Sequence, residues 1–282
     1  SSCSKKGCTD PNANNYDEKA KKEDNSCTYD NDADSVLSGN ISADMTLDAD
    51  VVYTLSGGVH VKSGAVLTIP AGTMIKSDPN ESVAYLLIER GARFEAIGTA
   101  TEPIIFTSGA ASPASGDWGG IILCGKAPIN NGSEATAEVG DVLYGGSASD
   151  DNSGTLRYVR VEYTGNAIND EKEHNGFTFN GVGSGTSVSY LQSYMGNDDG
   201  FEFFGGSVQA DYLISTGSGD DCFDWTYGWV GSGSYWIAEQ IDGIGDRGIE
   251  ADNNGDDNAA SPYSNPTLTN LTLTGYGEAD GI

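Results

Sequence analysis

From residue 176 onward, apolar and polar positions alternate in short bursts, and one phrase recurs. Gly176-Phe177-Thr178-Phe179, Gly200-Phe201-Glu202-Phe203, Cys222-Phe223-Asp224-Trp225 and Gly248-Ile249-Glu250-Ala251 each set apolar side chains two residues apart, and a further copy opens at Gly281-Ile282. The starts lie 24, 22, 26 and 33 residues apart. A second alternating run fills each interval: 187–191, 207–214, Tyr235-Trp236-Ile237-Ala238, and 268–273. Alternation of period two predicts strands with one buried face. Recurrence every 20–30 residues, with no helical stripe between strands, predicts the coil of a β-solenoid. One coil cannot bury its apolar side alone, so neighbouring coils must stack. The expected fold is all-β, a parallel β-helix.

Upstream the pattern is less regular but of the same kind. Short β-rich runs at 51–55, 59–61, 65–69, 86–89, 93–97 and 104–107 are parted by Gly- and Ser-bearing turns, and coils resume at 156–163. Residues 125–153 hold less strand signal and more Asn, Gly and Ser, so they are expected to project from the stack as an insertion. Residues 1–30 differ from everything that follows, being rich in Lys and Asn and poor in apolar side chains. The expected organisation is a short Cys-rich segment over 1–30 and a β-helix over 31–282. The break at Gly281-Ile282 falls inside a repeat, and an uncapped solenoid exposes strand edges, so the natural chain is expected to continue.

Charge narrows the partners. The formal net charge is −28 over 282 residues. Residues 1–30 carry five Lys against six acids, whereas beyond Gly176 Arg247 stands alone against sixteen Asp and Glu. Phosphate binding needs clustered Lys and Arg, so nucleic acid and anionic lipid are poor partners. Cations, neutral glycans and basic proteins remain. No apolar run reaches the 18–20 residues of a membrane-spanning helix.

There are five cysteines. Cys8 and Cys27 bracket a polar loop and are expected to pair, and closing such a span stabilises it by roughly 3 kcal/mol. Cys124 and Cys222 fall in distant coils and read as small buried apolar residues. Cys3 is left over. It stands where a bacterial lipoprotein would carry its acyl anchor, or it is an unmodified thiol.

The stretches VHVKSGAVLTIPAGTMIKSD (59–78), DWGGIILCGKAPIN (117–130) and NGFTFNGVGSGTSVSYLQSYMGNDDGFEFFGG (175–206) resemble a large family of exported Bacteroidetes β-helix proteins, described as lipoproteins or secreted surface proteins. The likeness extends over about 40–282. The Cys-bounded GCTDP…SCTY element of residues 7–29 is similar to one common in exported proteins of the same phylum. The resemblance implies a right-handed parallel β-helix at the cell surface, joined to the outer membrane by lipid alone or secreted. It supplies no reaction.

Candidate chemistry centres on two acidic turns. Asp198-Asp199 and Asp220-Asp221 each precede a strand and lie 22 residues apart, so one coil should stack them on a single edge. Crowded carboxylates either keep protons or hold a cation, and Ca²⁺ suits hard oxygen ligands. Plain turn formation is the competing account. The same text is similar to polygalacturonases, on which likeness Asp199, Asp220 and Asp221 match catalytic carboxylates. The departures weigh more. Gly243-Ile244-Gly245 lacks the His of the next coil, and no Arg-x-Lys follows to grip a substrate carboxylate. His60 and His174 are unpaired in sequence and suggest no metal site. The loop Asp252 to Asn258 lacks the terminal Glu of a Ca²⁺ loop. Tyr227 and Trp229 flank Gly228 in a Gly-rich turn and are expected to be exposed, as a surface for a glycan or a protein partner. These features together point to a cell-surface binding or structural module that holds Ca²⁺. A carbohydrate-active enzyme is the runner-up, and an accessory subunit of an outer-membrane transport or assembly complex is a third possibility.

Overall fold

The structure, a computed structural model, describes residues 5–9, 11, 16–24, 26, 35–81, 83–169 and 172–276. The chain forms two compact units, Ser1–Val36 and Leu37–Ile282. Within the first, Lys6 and Lys22 form a parallel bridge and Lys5 pairs with Asp17 at 2.5 Å. Cys8 is buried there, while Cys3 and Cys27 lie outside the described residues.

The second unit is the expected right-handed parallel β-helix, with no α-helix among the described residues. Three parallel ladders run along it. One joins Met45–Thr46, Val66–Pro70 and Arg93–Ile97 to residues 154–157, 187–189, 209–211, 232–234 and 267–269. The next joins 52–55, Met74–Ser77 and Ile104–Thr107 to 159–162, 191–194, 213–216, 236–239 and 271–274. The third holds 58–61, Tyr85–Ile88, Ile121–Cys124, Phe177–Asn180, Phe201–Phe204 and Phe223–Thr226. The recurring phrase of the sequence is therefore this third ladder.

The interior is built by like stacking on like. Phe177, Phe201 and Phe223 occupy one column, with ring centroids 5.2 and 5.4 Å apart. Phe179 and Phe203 stack at 5.0 Å in the next, and Trp229 lies against Phe203 at 4.3 Å. Trp229 is fully buried, which corrects its expected place on a partner surface. Its Gly-rich turn folds inward, and its indole N–H donates to the Val208 carbonyl, so the polar edge is satisfied in the core. Gly176 and Gly200 open the phrase because a Cβ there would meet the hydroxyls of Ser193 and Ser215 at 2.4 and 2.3 Å.

Five strands run through two ladders and bend between them at a single left-handed residue: Tyr158, Tyr190, Tyr212, Tyr235 and Asn270, with φ of 50–59°. That backbone costs a tyrosine about 1–2 kcal/mol. Stacking offsets it, since successive rings lie 4.5, 4.4 and 5.0 Å apart.

The 125–153 segment does not stand off the stack. Its antiparallel pair, Ala135–Thr136 with Leu143–Tyr144, belongs to a cluster in which Ile129, Val139 and Tyr144 cover Leu87, Ile122 and Phe204 on the outer face of the third ladder. Those ladder strands are consequently apolar on both faces.

Two substitutions test the column. Phe201→Ala should lower unfolding free energy by about 3–5 kcal/mol, and Gly200→Ala by about 1–3 kcal/mol through overpacking. Urea denaturation checks both; a loss below about 1 kcal/mol for Phe201→Ala would contradict the stacked core.

Candidate functional site

The outward positions of the third ladder change character along the stack. His60, Leu87, Ile122, Thr178, Glu202 and Asp224 follow one another in register. Glu250 comes one coil later, its N–H bonded to the Phe223 carbonyl. The insertion covers the apolar members, and the carboxylates begin where that cover ends.

The two acidic turns lie on the edge beside this column, as the 22-residue spacing predicts. The N–H groups of Gly176, Gly200 and Cys222 donate to the carbonyls of Asp199, Asp221 and Arg247 in the coils that follow. Asp199 Oδ1 accepts the Asp221 N–H at 2.9 Å, and Asp221 Oδ1 accepts the Arg247 N–H at 2.6 Å. One oxygen of each is thus a structural link between coils, as the turn account requires. Carboxylate oxygens of these turns and the neighbouring strands converge. Asp198, Asp199 and Asp220 bring one oxygen each within 4.8 Å of the others; so do Asp199, Glu202 and Asp224, and likewise Asp220, Asp221 and Asp246.

A pocket of ≈ 280 Å³ opens above these groups. Eight carboxylates line it, from Glu138, Glu173, Asp198, Asp199, Glu202, Asp220, Asp224 and Glu250, together with the amide of Asn175. Asn175 is 3% exposed. Its Nδ2 donates to Thr178 Oγ1 at 3.3 Å and to a Glu202 oxygen, and its Oδ1 has no hydrogen-bond partner.

Burial and mutual repulsion raise the pKa values of Asp198, Asp199, Glu202, Asp220, Asp221 and Asp224. Asp198 is pushed up to about 8 by burial, then by Glu173 and Asp220. Asp221 and Asp224 are pushed to about 7, again chiefly by burial, against which the Arg247 N–H works at Asp221. Asp199 and Glu202 are held well above the usual range by burial and by each other's neighbours, including Asp224.

Arg247 pairs with Asp246 and, at 3.4 Å, with Glu250, leaving Asp221 Oδ2 4.0 Å away. His174 is buried, its imidazole driven down to about 4, and it does not line the pocket. His60 bridges Glu89 and the Tyr85 hydroxyl on the far part of the column. Tyr227 is half-buried against Phe204, at 5.7 Å. The 252–258 loop is held as turn structure, with Asn254 Oδ1 accepting from Asp256 and Asp257.

Reasoning on the turns alone misses Glu202, Glu138, Glu173 and Asn175. Glu202 was legible: it fills the polar slot of the recurring phrase, the slot of Thr178, Asp224 and Glu250. Glu138 and Asn175 come from loops and Glu173 from the short strand Lys172–Glu173, whose approach no local pattern announces.

These shifts set a pH dependence for the cation-free protein. Folded-state values above the unfolded ones mean the native state binds more protons, so stability falls as pH rises from about 4 towards 8. Melting temperature in chelator should drop across that window, and Asp198→Asn should flatten the drop. A melting point that climbs from pH 5 to 8 would contradict the geometry.

A family model described as a pectate-lyase-like beta helix domain matches residues 39–282. No curated protein and no solved structure matches the chain. The chain belongs to the pectate-lyase-like β-helix domain family.

Proposed function

We propose that this chain is a non-catalytic binding module displayed at the cell surface. The observation that carries this reading is the pocket lining: eight carboxylates and one amide, with neither a cationic side chain nor an imidazole among them. A hydrolase or lyase acting on polyuronate must grip an anionic chain, which takes cationic side chains that this lining lacks. Arg247 is occupied by Asp246 and Glu250 at the rim. Such a lining repels a polyanion and attracts cations. The carbohydrate-active alternative keeps one point in its favour: Asp198 retains a proton near neutral pH, as a general acid would. Incubation with polygalacturonate should release neither reducing ends nor unsaturated product. Release by the wild type, lost in Asp220→Asn, would make the chain an enzyme.

Anchoring is part of the proposal. Cys3 carries an acyl group that holds the module at the outer membrane, and Cys8–Cys27 closes the segment between anchor and β-helix. A glycan or a surface protein is the partner. Burial of Cys8 is consistent with a paired thiol. Mass spectrometry without reduction should find the Cys8 and Cys27 peptides linked. Recovery of both as alkylated thiols would remove the disulfide and weaken the extracellular assignment.

A further inference from the structure

Resting on the reading of the chain as a non-catalytic module with a glycan partner, we propose that the glycan lies away from the acidic pocket, in a groove along the bend between the first two ladders. Its occupant is an extended, uncharged chain of equatorially linked pyranoses.

The groove encloses ≈ 550 Å³ and has two walls. One is the row of left-handed residues at the bend, Tyr158, Tyr190, Tyr212, Tyr235 and Asn270. The other is an outward column of the second ladder, in which Arg160, Gln192, Ile214, Ile237 and Thr272 follow one another in register. Polar side chains stand at both ends of that column, and its middle is apolar. Tyr212, Tyr235 and Ile237 are neighbours in the groove and are 39, 50 and 39% exposed. Apolar side chains exposed together mark a binding surface. The backbone adds to this. A left-handed φ is easier for Asn, as at Asn270, than for Tyr. Tyrosine at four such positions is local strain of the kind found where ligands are held.

Charge selects the class of occupant. The chain carries −28 overall, yet none of the thirteen residues lining the groove is acidic. Its one cation, Arg160, is paired with Glu162 and donates to Gln192 Oε1. A basic partner finds no carboxylate in this lining, an anionic polymer meets the field of the whole chain, and a second copy brings another −28. An uncharged ligand fits best. Pyranose rings match both characters of the lining. Their C–H faces suit Ile214, Ile237 and a phenol ring, and their hydroxyls suit the amides and the tyrosine hydroxyls.

Spacing selects the linkage. Successive tyrosine rings lie 4.5, 4.4 and 5.0 Å apart, close to the roughly 4.8 Å between strands. An equatorially linked pyranose chain advances by nearly that distance per sugar, so each sugar meets one coil. An extended peptide advances by about 3.3 Å per residue and falls out of step. Tyr190 and Tyr212 have rings on both faces and offer edges and hydroxyls. Tyr235 ends the column: Tyr212 stacks on one face, and by register the next coil brings Asn270. The other face is the platform for a sugar ring, beside an amide.

The test is calorimetric titration of the whole chain with cellohexaose, with β-1,4-mannohexaose and with maltohexaose, whose axial linkages coil the chain. At least one of the first two should bind, and maltohexaose should bind roughly tenfold more weakly or not at all. Tyr235→Asn and Ile237→Thr should each weaken binding by roughly tenfold. Both introduce the residue that the next coil already carries, so the backbone accepts them, and Ile237→Thr leaves the tyrosine column whole if Tyr235→Asn does not fold. Tyr263→Ala, at an exposed ring outside the groove, should bind as wild type does. Absence of heat with both β-linked hexaoses at about 1 mM, the weak end of specific binding, would overturn the proposal. Equal affinity for maltohexaose would do the same, as would wild-type affinity in both groove variants. A dimer seen by sedimentation and lost in Tyr235→Asn would give the groove to a second copy and also overturn it. Each of these failures leaves the non-catalytic reading standing, because only product release from polygalacturonate removes that.

Discussion

Parallel coil-on-coil register is the constraint on which the rest of this structure depends. Strands in such a stack lie about 4.8 Å apart, and every side chain meets the residue at the same position of the next coil. Whatever a position carries, it carries in a column. On the inside this is favourable: Phe177, Phe201 and Phe223 bury their faces against one another, and the aromatic column continues into Trp236. At the bend between two ladders the same rule lines up Tyr158, Tyr190, Tyr212 and Tyr235, whose stacking makes a strained left-handed backbone tolerable four times over.

On the outside of the third ladder the rule works against stability. Glu202 and Asp224 are register partners, and Asp199 and Asp221 are stacked one coil apart beside them. Carboxylates at that spacing repel by roughly 1–4 kcal/mol per pair when ionised, depending on the local dielectric. The fold answers partly with backbone N–H groups, given to Asp199 and Asp221. The rest of the charge must be neutralised by protons or by a cation. A pocket that bears this cost within an otherwise consistent fold has the character of a site kept for a ligand rather than for stability.

The architecture was legible because alternation and a recurring interval are one-dimensional signals, and a solenoid is nearly one-dimensional. The edge shared by Asp198 and Asp220 was legible for the same reason. What escaped was whatever depends on a chain segment returning from elsewhere. Trp229 lies in a Gly-rich turn, and only the room above Phe203 explains its burial. The insertion reads as polar, yet Ile129, Val139 and Tyr144 find outward-facing Leu87 and Ile122 waiting. The sign was present in Ile121-Ile122-Leu123-Cys124, a strand apolar on both parities, which a single-faced coil does not need. Asn175 carried no sign at all. Its amide joins the pocket only in the assembled structure, where Nδ2 donates to Thr178 and Glu202.

The central claim is that parallel register crowds the carboxylates of this edge until burial and repulsion hold protons on them near neutral pH. Carbon-detected NMR of the Asp and Glu side-chain carboxyls, titrated in chelator, measures this directly. Signals assigned to the pocket should titrate near neutral pH in chelator, with Asp198 close to 8 and Asp224 close to 7. Carboxyls that all titrate near 4 in chelator would contradict the account.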